Sequence, residues 1–405
     1  MIEKVEGAPL EIQLLIPNEE RQESTTPDIS IVIPALNEQI TIGEFIDWCW
    51  SGIKSAGVHG EIIIVDSSTD DTPNIALSKG ARVLRTPKRG LGQAYLDAIP
   101  YIRGRFIIMG DCDLTYDFRE LKPFVDAYRS GSEFVMGSRF KGSIENGAMP
   151  ALHRYFGTPL TIWILNMIYH SDFSDIHCGM RGLTVDALNK IDLTSKGWEY
   201  ASEMVLKASR LGFKISEVPV KFYKDREGRM SHHRRAGFWS PWHAGWINLK
   251  VMFVYTPDSF LIKPSILCMV IGLAVMILSL IGSVSIGPLG FDIYMLLLGM
   301  TSIILGYSLY QVGIFARKTH KLRNGIEQQI AQYFTYDVGA MLSFVLVLIG
   351  LLFDVWFLWK YIENGYRVVG NTKISIIGLL LIILGVQTFS FTLMVELKRR
   401  MNIRR

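Results

Sequence analysis

The chain is poor in cysteine: Cys49, Cys112, Cys178 and Cys268 lie scattered through 405 residues without any paired spacing. Neither a disulfide framework nor a zinc site follows from that usage. Net charge is also low, +4 at neutral pH. The basic residues gather near apolar runs instead of forming a separate stripe, which speaks against a nucleic-acid partner. The first residues, MIEKVEGAPLEIQLLIPNEERQES, lack a basic stretch followed by an apolar core, so no secretory signal is expected. The most informative absence is that of charge itself. Residues 264–291, 293–316 and 374–395 contain no charged side chain, and 338–359 contain only Asp354.

Each of these runs exceeds the roughly 20 helical residues that cross a hydrocarbon layer. They predict four transmembrane helices arranged as two hairpins, which accounts for a mean hydropathy of +0.25. Arg317, Lys318, Lys321 and Arg323 lie between the second and third runs, and Lys398, Arg399, Arg400, Arg404 and Arg405 follow the fourth. The opposite loops are poorer in cations, with none in SIGPLG and Lys360, Arg367 and Lys373 in the other. This bias predicts a multi-pass protein whose large N-terminal part and both termini are cytoplasmic.

Ahead of the membrane runs the pattern is that of an α/β domain. Residues 1–27 are expected to be a loose leader, and the ordered domain to span 28–235. Apolar stretches rich in Ile and Val predict buried strands at SIVIPAL, EIIIVDS (61–67), ARVLRT (81–86), RFIIMGD (105–111) and EFVMGSR (133–139). Helices are expected over 38–56, 73–79, 91–103 and 118–130, with Thr72 capping the second and Pro73 in its first turn. Such alternation predicts a mainly parallel sheet with helices on both faces. In these sheets ligands bind beyond the carboxyl ends of the strands, where PALNE, VDSSTDD and GDCD would all open. LHRYFGTPLTIWILNMIYH and FWSPWHAGWINLKVMFVY (238–255) are aromatic but too interrupted to span, and fit helices lying in the membrane interface. An ordinary core helix is the alternative for the first. The domain order is thus 1–27 leader, 28–235 α/β domain, 236–259 interfacial segment and 260–405 membrane helices. No internal repeat is visible, although the two hairpins are free to pack alike.

Two carboxylates one residue apart at a strand end, Asp111 and Asp113, point to the same side and suit a hard cation such as Mg²⁺ or Mn²⁺. Cys112 points the other way and is expected to pack. Asp66 is a second strand-end acid, able to accept hydrogen bonds from a nucleobase or ribose where a phosphate would be repelled. Lys88, Arg89, Gly90 and Gly92 precede a helix, where backbone N–H groups meet anions. They form neither a P-loop nor a full dinucleotide fingerprint. Glu199 and Glu203, four apart, either face the site or lie on a solvated face.

Taken in order, IVIPALNE, VDSSTDDT, RGLGQA, GDCDLTYD and DIHCGMRGL resemble the inverting family 2 glycosyltransferases with the GT-A fold, and among them the polyprenyl-phosphate sugar synthases with C-terminal membrane hairpins. The resemblance implies that Pro34, Leu36, Glu38, Asp66 and Arg89 hold the nucleotide sugar, and that Asp111 and Asp113 bind metal and diphosphate. It places Asp113, Asp175 and Arg181 at the reacting phosphates, and Arg139, Arg181, Arg226, Arg229, Ser231 and His232 on acceptor phosphate or diphosphate. A structural pairing of Arg181 with Asp175 is the alternative for those two. Many members have Gln two residues after the second Asp; here Thr115 stands there, with Asp117 as a candidate substitute. The implied activity is transfer of one sugar from a UDP- or GDP-sugar, UDP-glucose favoured, to a polyprenyl phosphate. A processive polysaccharide synthase would carry Gln-x-x-Arg-Trp, which is absent. Transfer to a neutral lipid alcohol and a lipid-linked sugar binding or flipping role stay as alternatives, and self-association is left open.

Overall fold

The computed structural model describes residues 2–3, 12–17, 26–151, 153–169, 171–226, 256–281, 284–286, 289–319, 335–367 and 372–403. The chain divides into two compact units, residues 1–251 and 252–405.

In the first unit the Ile- and Val-rich stretches form strands, as their composition requires. Among the described residues the sheet has strands β1 (Ile2–Glu3), β2 (Gln13–Leu15), β3 (Ile29–Ala35), β4 (Gly60–Asp66), β5 (Arg82–Arg85), β6 (Phe106–Met109), β7 (Phe134–Ile144), β8 (Arg181–Thr184) and β9 (Ile215–Phe222). Their spatial order is β1-β2-β5-β4-β3-β6-β8-β7-β9. At its centre β5, β4, β3 and β6 run parallel. Ile31, Val32, Ile33, Ile63, Ile64, Ile107 and Ile108 are completely buried there. The register sets Ala35 beside Asp66 and Val32 beside Met109, so β3, β4 and β6 end on one edge. Because β4 lies on one side of β3 and β6 on the other, that edge is a topological switch point.

The sheet departs from the parallel expectation beyond β6. Strand β8 runs antiparallel to both β6 and β7, and pairs Arg181 with Met109. The start of β8 therefore arrives where β6 ends. The leader differs as well: Gln13–Leu15 add to β5 as an antiparallel strand, with Leu14 only 1% exposed. Burying a leucine contributes about 1.5–3 kcal/mol, enough to hold so short a segment on the sheet edge.

Helices α1 (Ile42–Ala56), α2 (Thr72–Ser78), α3 (Leu91–Ala98), α4 (Lys122–Arg129), α5 (Thr158–Tyr169), α6 (Val185–Ile191) and α7 (Tyr200–Arg210) connect the strands. Helix α2 corrects the expected cap, since the Thr72 hydroxyl accepts the Glu38 N–H at 2.9 Å and Asp70 accepts the Thr72 N–H at 3.0 Å. Asp70 thus quiets the helix start while Thr72 ties it to the end of β3. Helix α5 keeps Ile162 and Leu165 inside and exposes Leu160, Trp163 and Met167, with Tyr155 and Phe156 in the turn before it. The exposed residues 156, 160, 163 and 167 follow helical spacing and form one apolar stripe.

The second unit holds four helices long and apolar enough to cross a membrane, as the uncharged runs predict. They are Lys263–Ile281, Ile293–Thr319, Tyr336–Glu363 and Thr372–Ile403, called the first to fourth membrane helices below. The first packs on the second, the third on the fourth, and the second on the fourth. The two hairpins repeat each other. A Cβ added at Gly272 would meet Gly299 O at 2.7 Å, and one at Gly350, 78 positions later, would meet Gly378 O at 2.6 Å. Gly306 lies equally tight on Ser265 O (2.7 Å), and Gly385, 79 positions later, on Ser343 O (2.9 Å). Across the central seam Gln387 Nε2 donates to Ser308 Oγ at 3.0 Å, again two residues 79 apart. Equivalent residues meeting each other is the signature of a two-fold relation between parallel repeats. The repeat escapes the sequence because only small residues at seven-residue spacing are kept, whereas lipid-facing residues vary freely. It breaks at the buried Met276 and Leu296, whose equivalents are Asp354 and Ser375, joined by a 3.0 Å hydrogen bond.

Close helix contact predicts that Gly378→Val and Gly299→Val each lower the unfolding temperature in detergent, at a cost of about 1–3 kcal/mol from overpacking. Leu352→Val, on an exposed position, should leave it nearly unchanged. Equal temperatures for all three variants would remove the close-packed seam.

Candidate active site

Strand β6 ends in Met109, 1% exposed, and the chain then turns sharply. Leu114 adopts a left-handed backbone with φ of 62°, a strained state for a branched side chain. Asp113 holds the turn, its Oδ1 accepting the Thr115 N–H at 3.0 Å and the Thr115 hydroxyl at 2.5 Å. Thr115 therefore orients Asp113 instead of standing in as an outer ligand. Cys112 turns inward as expected, 4% exposed with Sγ 3.6 Å from Pro34 O. Asp111 is half-buried against the loop that leads into β8. A Cβ at Gly179 would come within 2.7 Å of Asp111 Oδ2, so glycine there leaves room beside the carboxylate. The same glycine donates its N–H to the Tyr116 hydroxyl at 2.9 Å, fixing one loop on the other.

Asp117 is not available as a substitute ligand. Arg119 grips it with Nε at 2.7 Å and Nη2 at 2.8 Å, and the Tyr223 hydroxyl donates at 2.9 Å. Burial pushes its carboxyl up, but these donors outweigh burial and hold it below the ordinary value.

On the β3–β4 side the loops are stitched together. Asn37, in a left-handed conformation, accepts the Thr69 N–H at 2.9 Å and donates its own N–H to Ser68 Oγ at 2.7 Å. Glu38 is buried, with Thr41 donating to its Oε2 at 3.2 Å, while Pro34 and Leu36 are half-buried at the strand end. Asp66 is completely buried and ion-paired with Arg85, which also donates to Ser68 O at 3.0 Å. Burial lifts the Asp66 carboxyl above its ordinary value despite Ser68 and Arg85. Strand register explains the pair, since Asp66 and Arg85 are direct neighbours across β4 and β5. Sequence reading missed Arg85, although parallel pairing of VDSS with VLRT would have found it. Arg89, by contrast, bends back onto Asp97 of α3 at 2.9 Å.

On the far side Arg139 clasps Asp175 with Nε at 2.7 Å, Nη2 at 2.9 Å and its backbone N–H at 3.1 Å. Asp175 is wholly buried and Arg139 nearly so. The structure thus gives Asp175 to Arg139 and not to Arg181. Arg181 is 1% exposed and donates to Ala201 O at 2.8 Å and Cys178 O at 2.6 Å. Its Nε is buried without a partner among the described residues. Two tyrosines unmarked in the sequence lie beside it: Tyr95 and Tyr200, ring centres 4.9 Å apart. Burial pushes both hydroxyls up, with the Asp111 charge adding to the effect, so they stay neutral. Glu203 is fully buried, paired with Lys207 and accepting N–H groups from Thr194 at 3.0 Å and Ser195 at 2.7 Å. It braces a loop instead of facing solvent. Arg226 pairs with Glu44 at the surface, whereas Arg229, Ser231 and His232 lie outside the described residues.

With this geometry in place, comparison with known proteins is specific. Residues 30–192 match the profile of glycosyl transferase family 2, and residues 314–398 match the glycosyltransferase family 2 C-terminal transmembrane region. The chain is 32% identical over 366 residues to a low-salt glycan biosynthesis hexosyltransferase of Haloferax volcanii, covering 89% of this chain and 86% of the relative. It is 30% identical over 209 residues to the dolichyl-phosphate hexose transferase of the same organism, covering 51% of this chain and 87% of that protein. Among solved structures it is similar to glucosyl-3-phosphoglycerate synthase of Mycobacterium tuberculosis in complex with Mn²⁺, UDP and glucosyl-3-phosphoglycerate, at 20% identity and a TM-score of 0.44 over 57% of this chain and 80% of that one.

Asp175→Asn should destabilise the fold by about 3–5 kcal/mol, because it leaves a buried guanidinium uncompensated. Chemical denaturation of Asp175→Asn and Arg139→Gln, singly and together, should show strong coupling; additive losses would refute the clasp. For Asp117, whose folded pKa is depressed, the stabilisation is complete above about pH 4 and lost as pH falls through the folded value. Asp117→Asn should therefore flatten the acid limb of the stability curve.

Proposed function

Since this chain belongs to glycosyltransferase family 2 and carries that family's C-terminal transmembrane region, we propose that it moves one sugar from a nucleoside-diphosphate sugar onto a polyprenyl phosphate at the cytoplasmic membrane face. The observation that carries this reading is the carboxylate pair Asp111 and Asp113, held at the strand edge next to the loops of β3 and β4. Pro34, Leu36, Glu38 and Asp66 form the nucleoside wall. The donor is a UDP- or GDP-sugar, with UDP-glucose favoured.

The residues fit a divalent cation. Both donors are hard carboxylate oxygens, Thr115 fixes one of them, and the missing side chain of Gly179 leaves space beside the other. Asp111 and Asp113 would hold Mg²⁺ or Mn²⁺ together with the diphosphate, and such an ion supplies neutralisation of the leaving charge. The buried Arg181 adds fixed positive charge on the same edge.

A neutral alcohol would need a general base, and the two candidates are committed: Asp175 to Arg139 and Glu203 to Lys207. A phosphate monoester, with a second pKa of about 6, is already anionic at neutral pH and needs no strong base. The dolichyl-phosphate hexose transferase among the relatives supports the same acceptor. Direct displacement by that anion inverts the anomeric centre. Asp175 serves by positioning Arg139 toward phosphate, and the role proposed for Arg226, Arg229, Ser231 and His232 is binding of the acceptor phosphate or diphosphate. The apolar stripe of α5 rests in the membrane interface, where Trp163 is favoured.

Purified full-length protein in lipid nanodiscs, given labelled UDP-glucose or GDP-mannose, Mn²⁺ and either polyprenyl phosphate or polyprenol, tests the reading. Transfer should go to the phosphate and not the alcohol, and should fall at least about 100-fold in Asp113→Asn. Thr115→Val, which only unties Asp113, should cost about 10–100-fold with unchanged thermal stability. Undiminished transfer by Asp113→Asn, or transfer to polyprenol, would contradict it.

A further inference from the structure

The second and fourth membrane helices run parallel and touch from Leu296 against Ile376 and Leu380 down to Tyr307 and Ser308, which hydrogen-bond to Thr388 at 2.7 Å and Gln387 at 3.0 Å. Beyond that point they leave a cleft of about 630 Å³, lined by Phe315 on one helix and by Phe389, Leu393, Met394, Leu397 and Lys398 on the other. The cleft lies toward the end of the two helices that carries Arg317, Lys318, Lys398, Arg399 and Arg400. Its lining is apolar, apart from the Ser390 hydroxyl and the Lys398 ammonium, which stands 5.0 Å above the Phe315 ring.

We infer that this cleft binds the phosphate-proximal isoprene units of a polyprenyl phosphate, with Lys398 at the level of the headgroup. The inference rests on the acceptor proposed above. An apolar notch opening within the bilayer and ringed by cations at one end suits a single hydrocarbon chain bearing an anionic head. A monoester dianion gains more from several nearby cations than a phospholipid diester does, each cation contributing about 1 kcal/mol near an anionic surface. Within the cluster Arg317 faces Asp258 at 2.6 Å, and Arg400 and Arg399 face Glu396 at 2.9 and 3.8 Å. The volume falls within the roughly 300–1,000 Å³ typical of small-molecule sites.

The test uses full-length protein in nanodiscs and a polyprenyl phosphate bearing a diazirine in its first isoprene units. After irradiation, labels should map to the segment 389–401 and to Phe315, and unlabelled polyprenyl phosphate should compete at least about tenfold better than polyprenol or phosphatidylglycerol. Leu393→Trp, which fills the cleft, should abolish the label and raise KM for the lipid about tenfold while leaving KM for the donor unchanged. Lys398→Gln should weaken labelling by the phosphate and not by a polyprenol probe. Leu352→Trp, exposed on the third membrane helix, serves as the control and should change neither labelling nor kinetics. Labels elsewhere, an unaffected Leu393→Trp, or equal competition by phosphatidylglycerol would overturn the assignment. Labelling at the cleft without any sugar transfer would uphold the site and contradict the transferase's acceptor; transfer with labels elsewhere would do the reverse.

Discussion

The structure depends on the register of three parallel strands. Because the β3–β4 ladder sets Ala35 beside Asp66 and the β3–β6 ladder sets Val32 beside Met109, the polar residues that follow β3, β4 and β6 open on one edge. A slip of one residue would turn Asp66 to the opposite face of the sheet. The burial of Ile31, Val32, Ile33 and Ile64 against helices on both faces forbids that slip. Hydrophobic packing thus fixes carboxylate positions to within the reach of one ligand. The antiparallel arrival of β8 then sets Arg181 beside Met109 and brings Gly179 against Asp111, so a buried guanidinium and a closely approaching glycine adjoin the acid edge.

This division of labour shows in where the acids lie. Asp175, Asp117 and Glu203 are each buried against a named cation, and each braces a loop of the edge. Asp111 and Asp113 instead lie half-buried at the rim. Among the described residues no cluster of three or more His, Cys, Asp or Glu side chains could hold a metal ion by itself. In the proposed reaction Asp111 and Asp113 supply part of the cation's ligands and the donor's diphosphate supplies the rest.

Much of this was legible in the sequence because it depends on local pattern. Apolar runs placed the strands and the membrane helices, and the expectation that Cys112 turns inward agrees with its burial. What escaped was decided by partners distant in sequence. Asp175 finds Arg139 and Asp66 finds Arg85 only through strand register, and Thr115 could not be assigned to Asp113 until the left-handed turn at Leu114 was known. The leader strand Gln13–Leu15 is too short to announce itself, and depends on the exposed edge of β5. The hairpin repeat stayed hidden because lipid accepts almost any apolar residue, so only small residues at the seams keep its period.

The central claim is that Asp111 and Asp113 form a cation site that needs the nucleotide to be whole. Mn²⁺ binding to the full-length protein, followed by electron paramagnetic resonance with and without UDP, measures this directly. The account predicts weak binding alone, at least about tenfold tighter binding with UDP, and loss of that gain in Asp113→Asn. Tight Mn²⁺ binding without nucleotide, or a UDP-dependent gain that survives Asp113→Asn, would contradict it.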